Sequence, residues 1–121
     1  MKQPETIKID NVEYVRADKY TPAEKIDGLE YCIIRTYSAG CFAGYVKERD
    51  GQEAIILNAR RLWYWSGASS LSQLAMEGVK NPDDCKFAME VPKVILTNVI
   101  EVIEATEEAK QNINDVSVWK E

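Results

Sequence analysis

Runs rich in β-branched and aromatic residues, alternating with polar ones, fill the middle of the chain: LEYCIIRTY (29–37), CFAGYVKER (41–49) and QEAIILNARRLWYW (52–65). Such runs suit strands, where successive side chains point to opposite faces. Ser38-Ala39-Gly40 separates the first two runs and Asp50-Gly51 the second two, and both linkers carry residues that accept tight-turn backbone. The pattern therefore predicts a three-stranded antiparallel meander.

Upstream, TIKIDNVEYVR (6–16) alternates around the turn-forming pair Asp10-Asn11 and predicts a short hairpin or bent strand. The polar stretch to Gly28, interrupted by Pro22, reads as a connection with room for one helical turn. Downstream the period changes. Ser70 followed by Gln73 fits a capping box, Leu71, Leu74 and Ala75 share one helical face, and Gly78 stands where a left-handed residue would end the helix, so a helix is predicted over 71–77. VPKVILTNVIEVIEA (91–105) predicts one bent strand, or two broken near Thr97-Asn98. Thr106 before Glu107 and Glu108 resembles a second helix start, and VSVWKE suits a last strand. The expected fold is α+β: a single domain over 1–121 with a curled, barrel-like antiparallel meander and one or two short helices.

Composition narrows the chemistry more than it suggests any. The 121 residues are 45% hydrophobic, enough for a core without staples, and carry a formal charge of −5, which disfavours nucleic acid as a partner. Cys32, Cys41 and Cys85 are odd in number, lack CxxC spacing and have no histidine beside them, so neither a zinc site nor a disulfide framework is expected. Without histidine no Ser-His-Asp or Cys-His enzyme can be assembled in one chain, and no P-loop or G-x-G-x-x-G turn is present. Acid pairs such as Asp27/Glu30 and Asp83/Asp84 read as ordinary solvated surface, and Cys41 as a small hydrophobe. The start of the sequence has no signal-peptide core and no run approaches a membrane span, which predicts a cytoplasmic protein with reduced thiols, no cofactor and no catalytic residues.

One stretch concentrates candidate binding groups. Alternation over 57–65 puts Leu57, Ala59, Arg61, Trp63 and Trp65 on one face and Asn58, Arg60, Leu62 and Tyr64 on the other. Both faces mix arginine or asparagine with large apolar side chains, which suits stacking or an interface better than a plain core strand. The strand runs straight into Gly67-Ala68-Ser69-Ser70, a helix start where backbone N–H groups favour an anion. The expected ligand-binding set is Arg60, Arg61, Trp63, Tyr64, Trp65, Ser69 and Ser70, with Arg35 and Tyr37 at the neighbouring hairpin. Exposed together, these groups would form a patch large enough to predict a homo-oligomer.

The segments RTYSAG-x-FAGY and ARRLWYWSGA-x-SLSQLA, within residues 31–87, resemble a family of small proteins of unknown function encoded by tailed phages and prophages. The similarity continues through VPKVILTNVIEVIEATEEAK to VSVWKE. The resemblance implies a phage setting and no particular activity. Two functions follow as expectations by analogy of setting. One is an accessory protein that sequesters an anionic, nucleotide-like small molecule without turning it over, as an anti-defence sponge would. The other is a homo-oligomeric structural or interaction module that binds a host or virion protein.

Overall fold

The meander forms as the pattern predicts: β1 (Tyr31–Thr36), β2 (Cys41–Asp50) and β3 (Glu53–Tyr64) pair consecutively and antiparallel. This computed structural model describes residues 21–120, so the hairpin expected at 6–16 lies outside the described residues. After β3 come helix α1 (Leu71–Glu77), a 3-10 turn (Pro82–Asp84), β4 (Lys86–Phe87), β5 (Val91–Leu96), β6 (Val99–Glu104) and helix α2 (Glu107–Asp115). The region 91–105 thus resolves into two strands broken at Thr97-Asn98. The expected terminal strand is reduced to a single parallel bridge between Val118 and Phe87.

β6 joins the free edge of β1, while β4 and β5 share the far edge of β3. β5 and β6 therefore border opposite sides of the sheet although only residues 97 and 98 separate them. Three peptide steps span at most about 11 Å, so the sheet must bend until its edges approach. It curls without closing, because β5 and β6 are not hydrogen-bonded to each other.

Curling gives the sheet two cores. The concave face gathers Cys32, Ile34, Phe42, Ala54, Ile56 and Ala59 with Leu96 and Val99 from the two edge strands. The convex face carries Tyr31, Ile33, Ala43, Tyr45, Leu62 and Phe87, and the helices lay Leu74, Ala75, Ala109 and Ile113 on it. Caps fix both helix starts: the hydroxyl of Ser70 accepts the N–H of Gln73, and that of Thr106 accepts the N–H of Ala109. Thr106 also donates to Met76 O at 2.7 Å, tying the start of α2 to the end of α1.

Two bulges in the β2–β3 ladder set the phase of these faces. Between Tyr45↔Leu57 and Ala43↔Arg60 the register slips by one residue, with Asn58 in the left-handed region at φ 51°. Between Val46↔Ile56 and Glu48↔Ile55 it slips again, this time with the extra residue, Lys47, in β2. Each slip reverses the alternation beyond it.

Candidate functional site

The Asn58 bulge corrects the uninterrupted alternation expected over 57–65. Leu57 packs with the convex-face core and Ala59 with the concave one, so Ala59 and Arg61 share a face but Leu57 does not. Trp65, past the end of β3, turns back and packs half-buried against the convex-face core. Arg60 and Arg61 do fall on opposite faces.

Arg60 is 5% exposed, and its guanidinium is committed inside the fold. Nε donates to Ala88 O at 2.7 Å, Nη1 to Ile113 O at 2.8 Å, and Nη2 to Val116 O at 2.7 Å and more weakly to Phe87 O at 3.4 Å. Ile113 and Val116 mark the carboxyl end of α2, whose last turn carries no basic residue of its own. A cation from β3 thus sits at the negative end of that helix. The guanidinium also lies 5.5 Å from the Phe87 ring centroid. Burial lowers its pKa from the ordinary arginine value, and Tyr31 and Glu90 nearby oppose that shift.

Arg61 points the other way, across the row Ile34–Phe42–Arg61, where its guanidinium carbon lies 4.7 Å from the Phe42 centroid and 5.6 Å from the Trp63 ring. Among the described residues its Nε is the buried side-chain nitrogen or oxygen without a hydrogen-bond partner. Trp63 is 59% exposed and Tyr64 55%, and Tyr64 stands opposite Lys86, whose ammonium lies 5.5 Å from the Trp119 ring. Phe42, Lys86 and Trp119 were not among the expected residues. Phe42 could have been found as the cross-strand partner of Arg61 once the meander register was fixed, whereas nothing local in the sequence brings Trp119 to Lys86.

The junction YWSGASSL is held by hydrogen bonds to the residues that follow it. Gly67, at φ 96°, lets the loop approach residues 80 and 81, where an added Cβ would stand 2.5 Å from the Lys80 nitrogen. Lys80 and Asn81 donate their N–H groups to Gly67 O and Ser66 O. At the helix start, Gln73 Oε1 accepts both the N–H and the hydroxyl of Ser69 at 2.8 and 2.9 Å, while Ser70 holds the cap. The glutamine therefore reaches one residue further back than the expected capping box. Gly78 ends the helix with positive φ but extended ψ, 77° and −155°, rather than the left-handed helical geometry expected.

The second pair lies apart from Arg61. Arg35 shares the row Arg35–Cys41–Leu62, on the sheet face opposite Arg61, and its Nε is 3.6 Å from Glu101 Oε1. Tyr37, at the hairpin tip, is 82% exposed and donates its backbone N–H to Asn98 O. The structure thus brings Arg61, Trp63 and Phe42 together, carries Tyr64 past a further register slip at the same strand end, and leaves Arg60, Ser69 and Ser70 bonded within the fold.

Burial holds two of the thiols in the protonated form. Burial, then Glu30 and Glu104, pushes the Cys32 pKa up to about 12, and burial also raises that of Cys41. Among the described residues no group of three or more His, Cys, Asp or Glu is placed to hold a metal ion, and no helix is long and apolar enough to cross a membrane.

Fold and site together define a class: a curled, open α+β sheet that displays an arginine–aromatic cluster at the end of one long strand. Within that class the chain belongs to the family described as a domain of unknown function, DUF6948, whose profile matches residues 29–113. Searches of curated proteins and of solved structures found no match.

Proposed function

We propose that this chain is a non-catalytic interaction module, encoded by a phage and working in the host cytoplasm, that self-associates through the Arg61–Trp63–Tyr64 end of β3. The observation that carries this reading is the exposure of two large neighbouring rings, Trp63 and Tyr64, at one strand end beside an arginine. Tryptophan, tyrosine and arginine dominate the energetics of protein contacts, because a rigid amphipathic ring buries a large area at little entropic cost. Sedimentation velocity tests it. The wild-type chain is expected to associate at micromolar concentration and Trp63→Ala to shift to the monomer. A wild-type chain that stays monomeric at ~1 mM, where even a weak contact of about 4 kcal/mol would be populated, refutes self-association.

A second reading, sequestration of an anionic, nucleotide-like molecule, draws support from the buried, unpartnered Arg61 Nε beside a ring that a base could stack on. A thermal-shift titration with linear and cyclic nucleotides separates the two. Ligand at 100 times its Kd would stabilise the chain by about 2.7 kcal/mol. A flat response, with association still dependent on Trp63, leaves the interaction module standing alone.

A further inference from the structure

A second surface lies at the other end of β3, eight residues from Trp63 and so about 26 Å away along the strand. Ile56 and Leu96 point into the concave core, so their neighbours Ile55 and Ile95, cross-strand partners, point to the convex face. Both isoleucines lie outside the convex-face core, and Ile95 is 60% exposed. They line a cleft of about 570 Å³ together with Ala54, the acids Glu48, Asp50 and Glu53, and one cation, Arg49.

The bulge at Lys47 creates this arrangement. Unbroken alternation from Tyr45 would put Arg49 on the convex face and Glu48 and Asp50 on the other. The slip instead sets Glu48 across from Ile55 and Asp50 across from Glu53, while Arg49 pairs with Ala54, whose side chain belongs to the concave core. Three carboxylates therefore share the isoleucine face, and Asp50 and Glu53 are directly opposed like charges, an arrangement that destabilises a sheet. Among the described residues the apolar floor beside this conflict stays exposed at Ile95, and a ligand both basic and apolar would relieve the two together.

We propose that this cleft docks an extended, basic segment of a partner protein, seating an aliphatic side chain on Ile55 and Ile95 with lysine or arginine facing Glu48, Asp50 and Glu53. Three carboxylates outnumber Arg49 in the lining, so charge complementarity selects this occupant over an acidic or neutral one. The proposal is independent of the Arg61–Trp63–Tyr64 surface.

The probe is a short fluorescein-labelled peptide of alternating arginine and isoleucine, titrated by anisotropy into the full chain, with the methyl resonances of Ile55 and Ile95 followed in parallel. Saturable binding that shifts both methyl signals is expected. Glu53→Lys should weaken it by about tenfold or more while raising the melting temperature, since it turns the opposed acids into an ion pair. That rise shows that the variant is folded. Ile95→Lys should weaken binding equally, and Trp63→Ala should leave it unchanged. Absence of saturable binding, equal binding of the glutamate–isoleucine counterpart, or binding indifferent to both Glu53→Lys and Ile95→Lys overturns the proposal. Self-association without peptide that Ile95→Lys abolishes would make the occupant a second copy of the chain and overturn it too.

Discussion

Replacing Arg60 by methionine should cost far more than replacing its neighbour Arg61. Methionine keeps the apolar stem but removes every donor, so the loss falls on the carbonyls left behind. Ile113 O still accepts the N–H of Val116, and Phe87 O that of Trp119, so these two keep a partner. Ala88 O and Val116 O lose the 2.7 Å bonds they receive from the guanidinium. A buried polar group stripped of its partner costs about 1–3 kcal/mol, which gives roughly 2–6 kcal/mol for the two. Removing a desolvated charge returns part of that. A net loss of about 3 kcal/mol is expected, a large share of the roughly 5–15 kcal/mol that holds a domain together. Urea unfolding followed by circular dichroism would show the midpoint falling at unchanged slope, and the melting temperature should drop by about 10 °C or more. Arg61→Met, whose side chain stacks on Phe42 and Trp63 and has no hydrogen bond to lose at Nε, should stay within about 1 kcal/mol of wild type. Equal effects of the two substitutions, or an Arg60→Met chain as stable as wild type, would refute the account of Arg60 as the clamp between α2 and the β4–β5 segment.

Asn58 holds the bulge at φ 51°, so Asn58→Gly should change stability by no more than about 0.5 kcal/mol, whereas Asn58→Val, β-branched in a left-handed conformation, should cost about 1–2 kcal/mol. The order of the two unfolding midpoints is the check, and a valine variant as stable as the glycine one contradicts it. Cys32, 2% exposed and with its pKa pushed up to about 12 by burial, should react with a disulfide reagent at pH 8 only as fast as the chain unfolds. Because the folded pKa lies above the unfolded value of about 8.5, this thiol's effect on stability is nil below that pH and increasingly unfavourable above it. Modification of Cys32 at the rate of an unfolded peptide thiol would contradict its burial.

What the sequence made legible was local. The caps of Ser70 and Thr106, the glycine that ends α1 and the turns at Gly40 and Gly51 act within four residues, and the structure places each where the pattern put it. The break at Thr97-Asn98 was also visible, but not that β5 and β6 would leave it for opposite edges of the sheet, since strand pairing depends on partners far along the chain. The partners of Arg60 lie 27 to 56 residues away, so nothing near Arg60 marks it as structural. The Ile55–Ile95 cleft escaped for another reason. Its carboxylates read as ordinary surface charge until the slip at Lys47 is known, and a bulge leaves no dependable mark in a single sequence when the extra residue is a lysine.

The two bulges matter because they decide which charged groups face which surface. Leu57 lies on the convex side, so unbroken alternation would send Ala59 and Arg61 there too and turn Arg60 into the concave core among Ile34, Phe42 and Ile56. That core is lined by apolar side chains, and a guanidinium there would lack the carbonyls at the end of α2 that now satisfy it. One extra residue at Asn58 exchanges the two arginines: Arg60 reaches the helix end, and Arg61 is carried onto Phe42 beside the exposed Trp63. The doublet thus contains two side chains of the same chemistry with different work, one binding helix to sheet and one held at the strand end, and the backbone of Asn58 makes the assignment. Lys47 does the same for Glu48, Arg49 and Asp50, sorting the acids to one face and the arginine to the other. Both contact surfaces proposed for β3 therefore depend on a register slip in the β2–β3 ladder, so substitutions that erase a bulge should alter binding at the nearer surface even where they touch none of its side chains.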